Sequence, residues 1–328
     1  MPPTSEPALR PLRRRPLLLT TGTVSLVGLL TLGAAVLDGG DPTGTPRTSS
    51  WKLPWPREGQ AAVRIDGLGE RGDLGSHGSR TPVPIASVTK VMTAYVILRD
   101  HPLRDGTSGP RITVDQQAAD ESVSGVESTV PLERGQRLSE RRLLELMLVP
   151  SGNNVARLLA RWDAGSEAAF VTKMNRAADA LGMRRTTYTG ASGLEPSTTS
   201  TAADQLELAR QVMRDKAFRS VVAQPRTTVP GAPRTLPNTN TLLDTPGVIG
   251  IKTGSSTPAG GALMWAVTVP DRRGREHLAL GVVLHQRAGT SPQDGLRAVF
   301  DSSRALVEAV RHRMSRTEPV SATAAGSR

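Results

Sequence analysis

The chain has 328 residues, no cysteine, 37% hydrophobic residues and a formal charge of +11. That length suits one large globular domain or two small ones, and the missing cysteine excludes disulfides, thiolate metal sites and a lipid-modified N-terminal cysteine together. Aromatic residues make up only 3% and the arginines are scattered, which argues against base-stacking platforms and nucleic-acid binding; the positive charge reads either as a plain Arg-rich surface or as attraction to the anionic polymers of a cell envelope.

Arg10, Arg13, Arg14 and Arg15 precede residues 16–37, an uncharged, mostly apolar run of about bilayer-spanning length. Basic residues on that flank alone predict the N-terminus inside and the rest outside. Residues 1–37 thus form a basic segment followed by a signal or transmembrane segment. It is either cleaved after the small residues Gly33 and Ala35 or kept as an anchor, which the length of the run and the lack of an A-x-A site favour. The chemistry then belongs at the extracytoplasmic face of the membrane or in the cell wall. Residues 38–59, rich in Pro, Gly, Ser and Thr, read as a flexible linker whose Trp51 and Trp55 suit either the membrane surface or the domain.

The domain is predicted over 60–314, with a disordered tail at 315–328. It opens with a strand at 61–66 and a Gly-rich turn at 67–80. In the next stretch, TPVPIASVTKVMTAYVILRD, residues Val88, Val91, Met92, Tyr95, Val96 and Leu98 recur at mostly three- and four-residue steps, the pattern of a helix buried on one face. Residues 112–132 read as irregular, with short β-like pieces at Ile112 to Val114 and Ser128 to Leu132 among polar residues. Four helices follow, at 139–148, 154–162, 166–181 and 201–215. Ser139 and Thr201 stand at helix starts, Pro150 to Asn153 breaks the first from the second, and Gly182 stops the third. The pattern then changes to strands at 248–252, 262–269 and 277–285, the last two joined by a turn at Asp271 to Gly274. A closing amphipathic helix runs over 293–314. Strands at both ends with helices between predict one antiparallel sheet covered by helices.

Ser87 stands at the entrance of the first helix with Lys90 one turn on, so the amine can reach back to the hydroxyl. A serine becomes a nucleophile once a base takes its proton, and a helix-start N–H can help hold the resulting oxyanion. The spacing alone is weak, because Ser49 to Lys52 repeats it in the linker. It gains weight from two further motifs in order: Ser151-Gly152-Asn153 in a break between helices and Lys252-Thr253-Gly254 at the end of a strand. An S-x-x-K, S-x-N, K-T-G series marks penicillin-binding proteins and class A β-lactamases.

The stretches PIASVTKVMTAYVIL, LLELMLVPSGNNVARLLA, FVTKMNRAADALGM, SGLEPSTTSTAADQLELAR and PNTNTLLDTPGVIGIKTGSSTPAGGALMWAV extend the likeness. Over about 60–314 the chain resembles the D-alanyl-D-alanine carboxypeptidases of the low-molecular-weight penicillin-binding proteins. The resemblance implies an α/β fold of the α+β type, with a five-stranded antiparallel sheet flanked by helices and a helical subdomain, as in β-lactamases and transpeptidases. It implies removal of the terminal D-alanine from peptidoglycan stem peptides through an acyl-enzyme, covalent binding of β-lactam antibiotics, and no cofactor or metal. By the same resemblance Ser87 is the nucleophile, Lys90 its base and Ser151 a proton relay. Asn153 holds the substrate backbone, Lys252 and Thr253 meet the terminal carboxylate, Gly254 completes the motif, and the N–H groups of Ser87 and Ser255 form the oxyanion hole. Arg287 is a further candidate for the carboxylate. For Lys90 to act as a base its amine must be neutral, which burial and the charge of Lys252 favour. One departure stands at Asn238-Thr239-Asn240, where some members carry an arginine in the middle.

Two other readings compete. A β-lactamase needs a carboxylate to activate the deacylating water. Glu167, Glu195 and Glu207 lie between the second and third motifs, but none has an E-x-x-L-N setting. A non-catalytic peptidoglycan-binding protein would have lost a member of the catalytic unit, and none is lost. His77, His101, His277, His285 and His312 show no metal-ligand spacing.

Overall fold

Along the strand Gly260–Pro270 the buried side chains alternate between two separate cores: Leu263, Trp265 and Val267 belong to one, Ala262, Met264 and Ala266 to the other. A strand rotates successive side chains to opposite faces, so this strand must be covered on both sides. The computed structural model describes residues 51–68, 72–104, 106–231 and 234–316. In chain order they form β1 (Gln60–Ile65), β2 (Asp73–Gly78), β3 (Val83–Pro84), α1 (Lys90–Asp100), β4 (Arg111–Thr113), α2 (Gln116–Glu121), β5 (Arg137–Ser139) and α3 (Glu140–Leu148). These are followed by α4 (Asn153–Ala164), α5 (Glu167–Ala180), β6 (Thr199–Ser200), α6 (Ala202–Val212), α7 (Lys216–Val222), β7 (Arg226–Thr228) and β8 (Thr235–Pro237). The chain closes with β9 (Val248–Ser256), β10 (Gly260–Pro270), β11 (Glu276–Gln286) and α8 (Pro292–Met314).

The main sheet is five-stranded and antiparallel, in the order β2-β1-β11-β10-β9, so the ends of the domain meet in one layer as predicted. On one face α8 packs Val299, Leu306, Val307, Val310 and Met314 against Ala61, Val63, Leu263 and Trp265. The other face meets the helical part of the molecule through α1 and α6. β9 is an edge strand that carries the third motif within its second half, for the strand expected to end at Lys252 runs on to Ser256.

Three stretches differ from the sequence reading. The Gly-rich turn after β1 contains β2, a polar strand with only Leu74 buried, so no apolar alternation announces it. The stretch read as irregular holds β4 at the β-like piece Ile112 to Val114, but also an unexpected helix, α2, short and capped by Asp115, whose side chain accepts from Ala118 N–H. The helix expected to reach Asp215 stops at Val212, and Asp215 caps a separate helix, α7. In addition α1 is buried on nearly all sides rather than one, with Tyr95 alone half-exposed between Lys90 and Leu98, because it threads between the sheet and the helical region.

Trp51, Leu53 and Trp55, read as linker, pack on the α8 side of the sheet, and Trp55 stacks on His77. The apolar residues of this segment have the second core to cover, so packed chain begins before Gln60. The membrane or signal segment at 1–37 and most of the 315–328 tail lie outside the described residues. Among the described residues no helix is long and apolar enough to cross a membrane.

Candidate active site

Ser87 sits in a tight 3-10 turn, Ala86–Thr89, that runs into α1 with Lys90 as its first residue. Ala86 has a φ of 46°, a left-handed conformation that costs a non-glycine residue of order 1–3 kcal/mol. The turn is held from two sides. Thr89 Oγ1 donates to Ala86 O at 2.7 Å, and the loop after Ala191 presses so close that a Cβ on Gly193 would collide with that same oxygen.

The Lys90 side chain is fully buried. Its Nζ donates to Ser87 Oγ at 2.8 Å, to Asn153 Oδ1 at 2.5 Å and to the Ser192 carbonyl at 2.8 Å. Three acceptors suit an ammonium. They suit a neutral amine equally if the Ser87 bond reverses, since an amine keeps two N–H donors and one lone pair. Burial drives the Lys90 pKa well below the ordinary lysine value, with the charges of Lys252 and Arg157 acting the same way and Glu127 and Glu195 opposing.

Ser151 and Asn153 occupy the break between α3 and α4, both nearly buried. Ser151 has a φ of 70°, and its hydroxyl makes no hydrogen bond among the described residues, which leaves it free to turn toward a bound ligand. Asn154, the neighbour of Asn153, is wholly structural. Its Oδ1 accepts from Val130 N–H, and its Nδ2 donates to Val130 O, Ala118 O and Ser122 Oγ. Together with Asn153 N–H on Ser128 O at 2.8 Å, these bonds moor the 122–132 loop to the start of α4.

That loop supplies a residue the sequence reading missed. Glu127 Oε2 accepts from Asn153 Nδ2 at 2.5 Å, and the carboxylate takes Arg157 on both oxygens, at 2.8 and 3.2 Å. Arg157 in turn reaches Glu121 at 2.9 Å. Arg157 lies four residues after Asn153, on the same face of α4, and that spacing was a usable signal. Glu127 stands in a stretch without periodicity and offered none.

From the other side β9 brings Lys252, 1% exposed, and Thr253. Burial lowers the Lys252 pKa to about 7, and its Nζ donates to the Thr253 carbonyl at 3.0 Å. Thr239 does enter the site: its hydroxyl lies 2.6 Å from Thr253 Oγ1, where an arginine would have added charge. Gly254 fits edge-on against the nucleophile turn, for a Cβ there would fall 2.9 Å from both Ser87 N and Ile85 O. Ser255 follows on the exposed edge of the strand. Arg287 is exposed, beyond β11. The turn it belongs to is tied to the β9–β10 turn by Gly289 N–H on Thr257 O at 2.7 Å, but no contact joins its guanidinium to Ser87, Lys252 or Thr253. Because backbone atoms cannot yield as a flexible side chain would, Gly254→Ala is expected to slow acylation by penicillin by about 10- to 100-fold, measured by stopped-flow, with near-normal secondary structure.

Of the carboxylates weighed for a β-lactamase, Glu195 lies near enough to Lys90 to act on its charge, but makes no bond to Lys90 or Ser87. Glu167 accepts from Ala191 N–H, Glu207 pairs with Arg210, and Glu195 folds over Gly190 with one oxygen buried and unpartnered. Two of the histidines sit beside acidic groups, His101 at Asp163 and His277 at Asp271.

The family model described as D-alanyl-D-alanine carboxypeptidase (Peptidase_S11) matches residues 61–282. A D-alanyl-D-alanine carboxypeptidase of Streptomyces sp. strain K15 is 32% identical over 266 residues, covering 76% of this chain and 85% of that protein. The DacD carboxypeptidase of Escherichia coli is 34% identical over 203 residues, 60% of this chain and 51% of its own. Among solved structures, the Streptomyces K15 DD-transpeptidase superposes with a TM-score of 0.65 at 26% identity, over 78% of this chain and 99% of that one. Penicillin-binding protein 6B of Escherichia coli gives 0.66 at 26%, over 79% and 81%. With the sheet, the helical region and the three motifs in place, the chain belongs to the D-alanyl-D-alanine carboxypeptidase family of serine peptidases.

Proposed function

We propose that Ser87 Oγ attacks the carbonyl of the penultimate residue in a peptide ending in D-Ala-D-Ala, forming an ester and releasing D-alanine, and that water then frees the enzyme. The observation that carries this is the buried, low-pKa Lys90 amine 2.8 Å from the Ser87 oxygen. Lys90 takes the Ser87 proton, and Ser151 passes a proton to the leaving D-alanine nitrogen. The substrate lies along the free edge of β9 as an added strand, with Asn153 Nδ2 on its backbone and the Ser87 and Ser255 N–H groups on the developing oxyanion. Its carboxylate meets Lys252 and the Thr253–Thr239 hydroxyl pair, a charge-assisted contact that selects a free chain end. Arg287 adds at most long-range attraction from its exposed turn. β-Lactams take the same route, their ring carbonyl acylating Ser87.

We place the domain outside the cytoplasm, where its substrate lies, with residues 16–37 retained as a membrane anchor. Partition of the full chain into sedimented membranes tests that placement. For the activity, the purified domain is incubated with a D-Ala-D-Ala peptide and with its C-terminal amide while free D-alanine or D-alaninamide is assayed. Release from the free acid at least ~10-fold faster than from the amide is expected, because the amide leaves Lys252 without its partner. Rapid turnover of penicillin, in place of a lasting adduct, would instead support a β-lactamase. The K15 structures carry the name DD-transpeptidase, and adding an amine acceptor shows how this acyl-enzyme divides between water and amine.

A further inference from the structure

We propose that Glu127 is a positioning residue for this reaction: its carboxylate, clamped by Arg157, orients the Asn153 carboxamide and through it aims the Lys90 lone pair at Ser87. The inference rests on the roles given above to Ser87 and Lys90, and adds a residue to neither motif.

The reasoning is a count of donors and acceptors. A carboxamide can sit in either of two orientations, and its neighbours decide which. An ionised carboxylate only accepts hydrogen bonds, so the Asn153 atom 2.5 Å from Glu127 must be Nδ2, and the atom 2.5 Å from Lys90 must then be Oδ1. Oδ1 fixes one Lys90 N–H and the Ser192 carbonyl fixes the second. A neutral amine has no third N–H, so what remains for Ser87 is the lone pair. With Glu127 removed, Asn153 can turn its Nδ2 to Lys90, where it competes for that lone pair. Nδ2 also keeps one N–H beyond the bond to Glu127, free for substrate.

Glu127 is itself overdetermined. Both oxygens are engaged by Arg157, and its loop is moored through Asn153 N–H and Asn154. Against the upward push of burial, the bonds from Arg157 and Asn153 hold its carboxyl below the usual range, so it stays acceptor-only at neutral pH. The charged groups facing Lys90 are Lys252 from β9, Arg157 from α4, Glu127 from its loop and Glu195 from the loop after Ser192. Removing the Glu127 charge therefore shifts the balance toward a still less basic lysine.

The test uses the purified protein with a chromogenic penicillin, followed by stopped-flow across pH and by intact-mass spectrometry, for wild type, Glu127→Ala, Glu127→Gln, Asn153→Ala and the Glu127→Ala/Asn153→Ala pair. Glu127→Ala is expected to acylate about 10- to 100-fold more slowly, with the acidic limb of its rate profile displaced to lower pH. Glu127→Gln keeps an acceptor for Asn153 and should recover most of the rate while showing the same displacement. The double variant should lose little more than Asn153→Ala alone. Wild-type rate and an unmoved acidic limb in both Glu127 variants would overturn the inference, as would losses that simply multiply in the double variant. Glu127→Gln carries the same test if the alanine variant does not fold. Failure of wild type to form an adduct on Ser87 would remove the underlying reading instead, which keeps the two failures apart.

Discussion

Ser87→Ala is expected to fold as the wild type does, to form no covalent adduct with penicillin, and to release D-alanine at least ~10³-fold more slowly. Folding survives because the Ser87 hydroxyl makes one hydrogen bond, to Lys90, and lies at the surface of the cleft rather than in a core. The net worth of such a bond is about 1 kcal/mol, a small part of a domain's stability. Activity does not survive, because no neighbouring hydroxyl can replace the nucleophile without moving its backbone: Ser151 is pinned in the α3–α4 break. Intact-mass spectrometry after penicillin, with thermal unfolding of the same sample, separates loss of chemistry from loss of fold. A persistent adduct on Ser87→Ala would move the nucleophile elsewhere.

Lys90→Met is the second large effect. Methionine has nearly the length of lysine without the amine, so it fills the buried space while leaving Asn153 Oδ1 and the Ser192 carbonyl without that donor. Acylation by penicillin should fall by roughly 10²- to 10⁴-fold, the usual contribution of a positioned base. The residual rate should rise with pH as hydroxide takes over the task. Stability should change less than activity, because three lost hydrogen bonds, to Ser87, Asn153 and Ser192, are set against release from burying an amine. Denaturant unfolding read beside the acylation rate checks both halves of that expectation. A Lys90→Met protein that acylates at the wild-type rate would remove Lys90 from the mechanism.

How much of this was legible in the sequence follows from what each residue has to do. The three motifs could be read because their chemistry needs fixed residue types at local spacings, such as Ser87 and Lys90 one turn apart. The strands β9, β10 and β11 could be read because they are buried on both faces and flanked by turn residues. β2 could not, since it pairs through its backbone with a polar sequence. α7 could not, because it is only seven residues long, and Asp215, which reads as the end of the helix from Thr201, instead caps it. In the site, Glu127 was invisible for a different reason. Its partners Asn153 and Arg157 lie 26 and 30 positions away, and only the mooring of its loop by Asn154 brings it to them. The depressed pKa of Lys90 was anticipated in cause, burial with Lys252 nearby. The contributions of Arg157, Glu127 and Glu195 came only with the structure.

The pH dependence of the acylation rate constant tests the central claim, that Lys90 stands neutral beside Ser87 while Lys252 stands charged for the carboxylate. Lys90 must lose its proton to work, so the rate rises as pH climbs through its lowered pKa. Lys252 must keep its proton, so the rate falls as pH passes about 7. Burial lowers both lysines and the Lys252 charge lowers Lys90 further, so acylation requires a pH window, between the two limbs, with Lys90 neutral and Lys252 charged. A bell-shaped wild-type profile whose acidic limb in Lys90→Met loses its inflection, leaving a much slower rate that climbs steadily with hydroxide, is the predicted result. A single limb that climbs toward the ordinary lysine value near 10.4 would contradict it.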